Sequence, residues 1–250
     1  MLVDAGFNRK ETLRRLASLD VSIDTVNGIL ISHEHSDHIG GLANLSRGWK
    51  APVYITEGTY GEYVRLVPQK HVERLRGVET LQLSRRFNIG DIEVTAFMIP
   101  HDAADPVGFT LEAEGFKVSI VTDLGFLPLH VREHLRGSDM LVLESNHDVE
   151  MLKIGPYPWH IKQRVMSRTG HLSNHAVSEY LADGDAEGSG FDGRARWVVL
   201  AHLSQQNNNP YVAQQSAEEA LARRAQAACG PWQGELQIAS QDRPLGPFLF

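Results

Sequence analysis

Apolar and polar residues follow two patterns along this chain, one typical of strands and the other of helices. Short runs rich in valine, isoleucine and leucine, bounded by glycine, proline or aspartate, predict strands. Between them, apolar residues recur at helical spacing, first over 8–19, where Asn8 is in position to cap the helix. The strands are predicted at 28–32, 52–55, 92–99, 107–113, 117–122, 140–145 and 197–203, and further helices at 59–66, 127–136, 159–168, 174–182 and 210–228.

The alternation of strands and helices predicts an α/β layered fold, in which loops at the strand ends carry the chemistry. The chain has 250 residues, of which 42% are hydrophobic, and this is enough for one sizeable core. No repeat or linker divides it, and a flexible acidic loop is predicted at 183–193. We therefore expect a single domain that spans residues 1–250.

The net charge and the cysteine content limit which binding partners and which cell compartment we expect for this protein. The formal charge is −7, so binding to nucleic acid or to an anionic membrane would need a local basic patch. The single cysteine, Cys229, cannot form an internal disulfide, and the chain opens without an export signal. No apolar run approaches the ~20 residues that cross a bilayer. The sequence predicts a cytoplasmic protein without a membrane partner and leaves its oligomeric state open.

Candidate chemistry begins at residues 33–38, which read HEHSDH and follow the first predicted strand. Alternate side chains of an extended segment share a face, so His33 and His35 can bind one cation at ~2.0–2.1 Å. After a turn, Asp37 and His38 can serve a second cation. Crowding so many dehydrated polar groups is costly unless a cation or many hydrogen bonds compensate. The cluster therefore indicates metal binding.

Three later predicted strands also end at a residue type that binds metals, namely His101, Asp123 and His202. A carboxylate such as Asp123 has two oxygens and can bridge two ions that lie ~3.5–4 Å apart. Taken singly, a histidine at a strand end is more often a surface or hydrogen-bonding residue than a ligand. The residues alone therefore leave the roles of His101 and His202 open.

The HEHSDH stretch matches the signature H-x-H-x-D-H, and with the order of the later ligands it makes the chain resemble the metallo-β-lactamase-fold hydrolases over nearly its whole length. The resemblance implies a four-layer αββα sandwich and two divalent ions. Zinc or manganese is favoured, and iron also suits histidine and carboxylate ligands. The resemblance implies that His33, His35 and His101 hold the first metal, that Asp37, His38 and His202 hold the second, and that Asp123 bridges them.

Longer blocks of sequence are similar to the YycJ/WalJ-type subgroup of that superfamily. Members of this subgroup are associated with 5′-to-3′ exonuclease activity on DNA and resemble phosphodiesterases of the same superfamily. Relatives usually begin with a further strand pair, so we expect an incomplete N-terminal strand pair here, through a misassigned start, a truncation or a shorter first sheet. The matching blocks are 32–42, 144–148, 155–174, 200–208 and 239–246.

Other branches of the superfamily fit this chain less well. The related zinc β-lactamases usually have a non-histidine residue where His38 stands, and they use a cysteine in the second metal site. Glyoxalase-like thioesterases typically add a helical domain, for which the chain after His202 leaves little room. The tRNase Z branch resembles the motif order, but its protruding RNA-binding arm has no evident counterpart in this sequence.

A basic and aromatic segment supports a phosphate-containing substrate. Residues 151–178 contain neither Asp nor Glu, although the chain as a whole is acidic. Cations interleaved with aromatic residues suit phosphate contacts together with base stacking. The alternative is an ordinary solvated helix face with a capping aromatic residue. The predicted substrate contacts are Lys153, Tyr157, Trp159, Lys162, Arg164 and Arg168.

Two further residues receive catalytic roles from the resemblance to the phosphodiesterases. It implies that His171 lies outside the metal shell and donates a proton to the leaving oxygen, supported by Glu144. Alternatively, His171 caps the helix that follows it and Glu144 orients a ligand. Asp37 is predicted to accept the remaining proton of the nucleophile as well as to bind metal. The polar residues 146–148 receive no role.

Three functions remain in competition. The first is a dinuclear-metal phosphodiesterase, with DNA as its partner and a 5′-to-3′ exonuclease activity, that uses a metal-bridging hydroxide as the nucleophile. The second is a metal-dependent hydrolase of a small ester, thioester or lactone. The third is a non-catalytic regulatory module stabilised by metal. The intact ligand set argues against the third, and the basic aromatic segment favours the first over the second.

Overall fold

The computed structural model describes residues 1–47, 49, 51–75, 77–184, 190–226 and 230–250. Cys229, the last two residues of the helix predicted at 210–228 and the middle of the loop predicted at 183–193 lie outside these residues. The chain divides into two compact units. Unit 1 comprises Met1–Met98, Ala103–Val107 and Gln241–Phe250, and unit 2 comprises Ile99–Asp102 and Gly108–Ser240. The single domain over residues 1–250 stays a prediction.

Unit 1 contains a parallel sheet, a hairpin and several short helices. Its strands are β1 (Leu2–Val3), β2 (Ile29–Leu30), β3 (Val53–Ile55), β4 (Val78–Thr80), β5 (Arg86–Ile89) and β6 (Ile92–Met98). Its helices are α1 (Arg9–Ala17), α2 (Ser36–Ile39), α3 (Leu42–Leu45), α4 (Glu57–Leu66) and α5 (Gln69–Val72), with one turn of 3-10 helix at Ile23–Thr25. The first four strands pair in parallel in the order β1-β2-β3-β4. Strands β5 and β6 form an antiparallel hairpin.

The core of unit 1 lies against the second strand. Both residues of β2 are fully buried, as expected for a parallel strand that is covered on its two faces. Ile31, Leu42, Val53 and Tyr63 pack in the same buried cluster. Helix α1 begins where the sequence predicted, because the side chain of Asn8 accepts a hydrogen bond from the backbone N–H of Glu11.

Unit 2 is built on one mixed sheet with helices between its strands. Its strands are β7 (Val107–Ala113), β8 (Phe116–Val121), β9 (Met140–Glu144), β10 (Trp197–Ala201) and β11 (Glu235–Ile238). Its helices are α6 (Leu129–Leu135), α7 (Val149–Ile154), α8 (Trp159–Val165), α9 (Asn174–Ala182) and α10 (Pro210–Gln226). Strands β7 and β8 form a hairpin through Glu114 and Gly115, which both have positive φ, as a two-residue type I′ turn requires. None of the helices in the described part of the chain is both long and apolar enough to cross a membrane.

The order of the parallel strands in unit 2 positions the chemistry. Strand β9 pairs in parallel with β8 on one side and with β10 on the other. Val121 lies opposite Leu143, and Ala201 lies opposite Glu144. The carboxyl ends of the three strands therefore meet at one edge of the sheet, where Asp123 and His202 follow directly.

Candidate metal centre

The residues His33, His35, Asp37 and His38, which we call the N-terminal cluster, lie in unit 1 just beyond β2. His35 is extended and occupies the N-cap position of helix α2. Its carbonyl accepts hydrogen bonds from the N–H groups of His38 and Ile39, at 2.9 and 3.1 Å. The turn that the sequence predicted after His35 is therefore a single helical turn, and it places Asp37 and His38 beside the preceding histidines.

The imidazole rings of the N-terminal cluster pack against one another. The ring centroid of His33 lies 4.6 Å from that of His35 and 4.0 Å from that of His38. His33 is fully buried, whereas the Asp37 side chain is 64% exposed. Three neighbouring imidazoles with a carboxylate beside them form a donor set that suits Zn²⁺, Mn²⁺ or Fe²⁺. The residues present therefore fit a divalent ion.

Asp4 and Ser32 orient the histidines of this cluster. Asp4 accepts hydrogen bonds from the backbone N–H and the hydroxyl of Ser32, both at 2.8 Å, and from Nδ1 of His38 at 2.7 Å. The Ser32 hydroxyl also lies 3.0 Å from Nδ1 of His33. Because an ionised carboxylate only accepts, His38 carries its proton on Nδ1 and presents the lone pair of Nε2. Sequence reasoning missed Asp4, although its place at the end of an apolar strand was an available signal.

The residues His101, Asp123, Glu144, His171 and His202, which we call the C-terminal cluster, all lie in unit 2. Asp123, Glu144 and His202 come from the shared carboxyl edge of β8, β9 and β10. Asp123 and His202 both have positive φ, 62° and 56°, a conformation that is uncommon for non-glycine residues but less so for aspartate and histidine. His171 precedes α9, and Nδ1 of His101 donates to the carbonyl of Gly170 at 3.1 Å.

Glu144 is the centre of the C-terminal cluster. Its Oε1 accepts hydrogen bonds from Nδ1 of His171 and Nδ1 of His202, each at 2.8 Å. Its Oε2 accepts from the backbone N–H groups of Leu124 and Leu172, each at 3.0 Å. Both oxygens are therefore engaged, and Glu144 holds the two histidines in the tautomer that presents Nε2. The helix after His171 is capped by Ser173, whose hydroxyl accepts from the N–H of Ala176.

Burial and hydrogen bonding set the charges in the C-terminal cluster. Burial favours the neutral form of Glu144, but the hydrogen bonds from His171 and His202 outweigh it, so the pKa of Glu144 is lowered. Burial likewise disfavours protonated His171, yet its hydrogen bond to Glu144 and the charge of Asp123 raise its pKa above the usual value. Glu144 is therefore ionised, and His171 holds a proton more readily than a free histidine.

The C-terminal cluster also fits a divalent ion. Asp123, Glu144, His171 and His202 have side-chain atoms within 4.8 Å of one another. Both oxygens of Glu144 and Nδ1 of the two histidines are engaged in hydrogen bonds, so the carboxylate of Asp123 and Nε2 of His202 are the donors that suit an ion. Oδ1 of Asp123 lies 3.5 Å from Nδ1 of His202 and 3.9 Å from Nε2 of His101. Carboxylate and imidazole donors at this spacing are ligands of zinc, manganese and iron in proteins.

The predicted substrate contacts lie on α7, α8 and the loops beside them, and their cations differ in surroundings. Lys153 is exposed and pairs with Glu150 at 2.8 Å. Lys162 is buried, and its ammonium donates to the carbonyl of Lys153 at 2.7 Å. This internal hydrogen bond turns the Lys162 charge away from solvent, so the sequence overstated the number of exposed cations.

The remaining predicted contacts also vary in exposure. Trp159 is 63% exposed, and Tyr157 is partly buried. Arg164 forms a two-pronged ion pair with Asp102, the residue after His101. The guanidinium of Arg168 lies 3.9 Å from the ring centroid of Phe126. Trp159, Lys153, Arg164 and Arg168 are thus the exposed members of the set, and both Lys153 and Arg164 are paired with a carboxylate.

Asn146 connects two loops of the C-terminal cluster through hydrogen bonds, a role that the sequence did not reveal. Its side-chain amide donates to the carbonyl of His202 at 3.0 Å, and its backbone N–H donates to the carbonyl of Leu172 at 2.8 Å. Its own carbonyl accepts from the N–H of Ser204. Asn146 therefore ties the loop of His202 to the loop that follows His171.

Comparison with known proteins gives consistent matches. The β-lactamase superfamily domain matches residues 1–188. The chain is 36% identical over 229 residues to the exodeoxyribonuclease YycJ of Bacillus anthracis, which covers 90% of this chain and 81% of that protein. It is 31% identical over 230 residues to the exodeoxyribonuclease WalJ of Streptococcus pneumoniae serotype 2 strain D39, which covers 89% of this chain and 80% of that protein.

A solved structure matches the fold. The metallo-β-lactamase fold protein YhfI from Bacillus subtilis superposes with a TM-score of 0.63 at 16% identity, over 95% of this chain and 83% of that one. At this identity the likeness concerns the fold alone. It confirms the predicted α/β fold of metallo-β-lactamase type, with sheets flanked by helices.

Proposed function

Because this chain belongs to the β-lactamase superfamily, and within it to the group of the exodeoxyribonucleases YycJ and WalJ, it is a metal-dependent hydrolase, and we propose that it degrades DNA. We propose further that it removes nucleotides in the 5′-to-3′ direction. The observation that carries the proposal is the intact set of histidine and carboxylate donors, held in fixed orientations by Asp4 and Glu144.

Two divalent ions are proposed to occupy the centre. The first ion would be held by His33, His35 and His101. The second ion would be held by Asp37, His38 and His202. Asp123 would bind both ions. When bound, such a pair supplies an activated water as the nucleophile and offsets the negative charge of the phosphate. The donor set suits zinc or manganese, and iron as well.

The protein's own residues manage the protons. Asp37, whose side chain is exposed, is proposed to accept the remaining proton of the attacking water. His171 is proposed to donate a proton from Nε2 to the departing sugar oxygen. Its Nδ1 proton is held by Glu144 at 2.8 Å, so the ring keeps its orientation while the proton at Nε2 leaves.

The exposed part of the basic segment is proposed to contact DNA. Trp159 offers a ring for base stacking, and Lys153 and Arg168 offer charges for phosphates. The whole chain carries a net charge of −7, so attraction for a polyanion would have to come from a local patch such as this one.

Two variants test the division of labour. His35→Ala should abolish both hydrolysis and metal loading, because it removes a proposed ligand. His171→Ala should keep the metal content of the wild-type protein while turnover falls about 100-fold or more, the usual contribution of a positioned proton donor. Metal content by mass spectrometry and turnover on DNA are measured together. Equal loss of metal in both variants would contradict the assigned roles.

A substrate panel tests the reaction class and direction. Single-stranded DNA, bis(p-nitrophenyl) phosphate and a thioester are each offered with Mn²⁺ or Zn²⁺. A 5′ fluorescent label on the oligonucleotide should appear first as a labelled mononucleotide, whereas a 3′ label should remain on long fragments. Activity on the thioester alone would replace the nuclease with the small-ester hydrolase, and early release of the 3′ label would reverse the direction.

A further inference from the structure

Phe7 is an exposed aromatic residue in unit 1 that no role above explains. It is 47% exposed, and the guanidinium of Arg15 lies 4.1 Å from its ring centroid. Arg15 is itself held by Glu11 at 2.6 Å and by the carbonyl of Gln241 at 2.6 Å. One face of the ring is therefore covered by a fixed cation, while nearly half of the residue stays exposed. A ring fixed in this way is ready for stacking without a large loss of side-chain entropy.

The backbone at Phe7 lies directly against the N-terminal cluster. A Cβ added to Gly6 would lie 1.5 Å from the carbonyl oxygen of Asp37, and a Cβ added to Gly41 would lie 1.7 Å from the carbonyl oxygen of Phe7. Only glycine permits contacts this close. Phe7 and Asp37, both with exposed side chains, thus come from backbone segments that touch.

Helix α1, which follows Phe7, supplies positive charge. Its nine residues include four cations and a single acid. Lys10 is exposed, and the side chain of Arg14 is 56% exposed while it pairs with Glu11 at 2.6 Å. Cations beside an aromatic ring form the combination that binds single-stranded nucleic acid through phosphates and stacked bases. This surface, Phe7 with Lys10, Arg14 and Arg15, is named the Phe7 platform.

We propose that the Phe7 platform binds an unpaired nucleotide of the DNA strand next to the scissile phosphate. The base stacks on the open face of Phe7, and the adjoining phosphates lie near Lys10 and Arg14. This inference rests on the proposed nuclease function and adds to it a requirement for unpaired nucleotides beside the cleavage site. A duplex cannot offer a base to Phe7 unless its end has separated, because paired bases are already stacked.

The test compares a long and a short substrate on the same protein. For Phe7→Ala, the ratio of kcat/KM on a single-stranded oligonucleotide to kcat/KM on bis(p-nitrophenyl) phosphate should fall about ten-fold, equal to about 1.4 kcal/mol. The small ester has no neighbouring nucleotide to place on the ring. Phe7→Trp keeps a stacking ring and should preserve the ratio. Leu66→Ala, which removes a side chain of unit 1 that is 63% exposed, is the matched control and should leave the ratio unchanged.

Charge is tested separately. Arg14→Gln should reduce the slope of log KM for the oligonucleotide against log salt concentration by about one, as expected for the loss of one phosphate contact. The proposal that the Phe7 platform binds a nucleotide would be refuted if the ratio of the two kcat/KM values is unchanged in Phe7→Ala. It would also be refuted if this ratio falls equally in Phe7→Ala and Phe7→Trp. If the wild-type protein cleaves no DNA at all, the proposed function itself is refuted. If it cleaves DNA and Phe7→Ala behaves as wild type, only the platform is refuted.

Discussion

The N-terminal and C-terminal clusters differ in how the chain builds them. The N-terminal cluster takes its four residues from six consecutive positions, beyond a strand of two residues and across one helical turn. The C-terminal cluster takes five residues from segments spread over a hundred positions, and three parallel strands of a mixed sheet bring three of these residues to one edge. The first depends on local geometry, whereas the second depends on the pairing of β8, β9 and β10.

The same difference appears in the residues that orient the histidines. In the N-terminal cluster, Asp4 accepts from Ser32 and His38, and its own side chain is 18% exposed. In the C-terminal cluster, Glu144 is fully buried and accepts four hydrogen bonds from three separate segments. A buried charge with four partners is costly to disturb. The C-terminal cluster should therefore lose more stability than the N-terminal cluster when its central acid is removed.

The largest effect is expected from Glu144→Ala. The change leaves two buried N–H groups and two histidines without their acceptor, and should lower the free energy of unfolding by about 4 kcal/mol. Urea unfolding measures it, with Glu235→Ala, an exposed strand glutamate of unit 2, as the control. A loss below about 1 kcal/mol would show that Glu144 is not the centre of this cluster.

The second effect concerns how much the free energy of unfolding falls at acid pH because of His147, a buried residue near Glu144 and His171 of the C-terminal cluster. Burial lowers its pKa to about 4. Because the unfolded chain binds this proton near pH 6.5 and the folded chain does not, the stabilisation is complete above that pH and is lost as the pH falls toward 4. The loss should be about 3 kcal/mol at most. Urea unfolding gives the free energy of unfolding at pH 7.5 and at pH 5, and the difference between these two values should be smaller in His147→Gln than in the wild-type protein. An equal difference would show that His147 is not the group that causes the loss.

A smaller effect is expected from Asp4→Asn in the N-terminal cluster. Asparagine tolerates the positive φ of Asp4, so the change removes the charge that holds His38 and Ser32 with little backbone strain. Metal affinity, measured by titration calorimetry with Zn²⁺ or Mn²⁺, should fall about ten-fold. Asp20→Asn is the matched control, since Asp20 also has positive φ but is exposed. Equal affinities in Asp4→Asn and the wild-type protein would show that Asp4 does not orient the N-terminal cluster.

The smallest effect is expected from Arg164→Gln at the outer side of the C-terminal cluster. Its ion pair with Asp102 is partly exposed to solvent, so the free energy of unfolding should fall by no more than about 1 kcal/mol. Arg65→Gln, which breaks an exposed pair with Glu62 in unit 1, is the control. A clearly larger loss for Arg164→Gln would mean that the outer ion pair helps to hold the segment of His101.

Particular elements show how far the sequence predicted this fold. Strand β7 and helix α9 have the predicted bounds, because their apolar patterns are strong and end at glycine, proline or a capping residue. Strands β1, β4, β5 and β11 were not predicted. All four have two to four residues, none is fully buried, and β4, β5 and β11 carry charged residues. Such strands are held by their neighbours in a sheet more than by their own pattern.

Burial explains the differences at the substrate segment. The sequence counted four cations between 151 and 168, and the fold withdraws Lys162 into the interior and engages Arg164 with Asp102. Residue type predicts charge, but it does not predict which partner a long side chain finds. The same limit explains why Asp4 and Phe7 were missed, since each gains its place from contact with a distant segment.

The sequence alone determined the donor chemistry of this protein, because six consecutive residues with three imidazoles and two carboxylates define a local cluster whatever surrounds them. It also determined the family, because the chain is 36% identical over 229 residues and 31% identical over 230 residues to two exodeoxyribonucleases. Only the tertiary structure decided which acids orient the histidines, which cations stay exposed and which backbone segment lies against the HEHSDH segment. These depend on strand pairing and burial between residues far apart in the chain, and such contacts leave no local pattern to read.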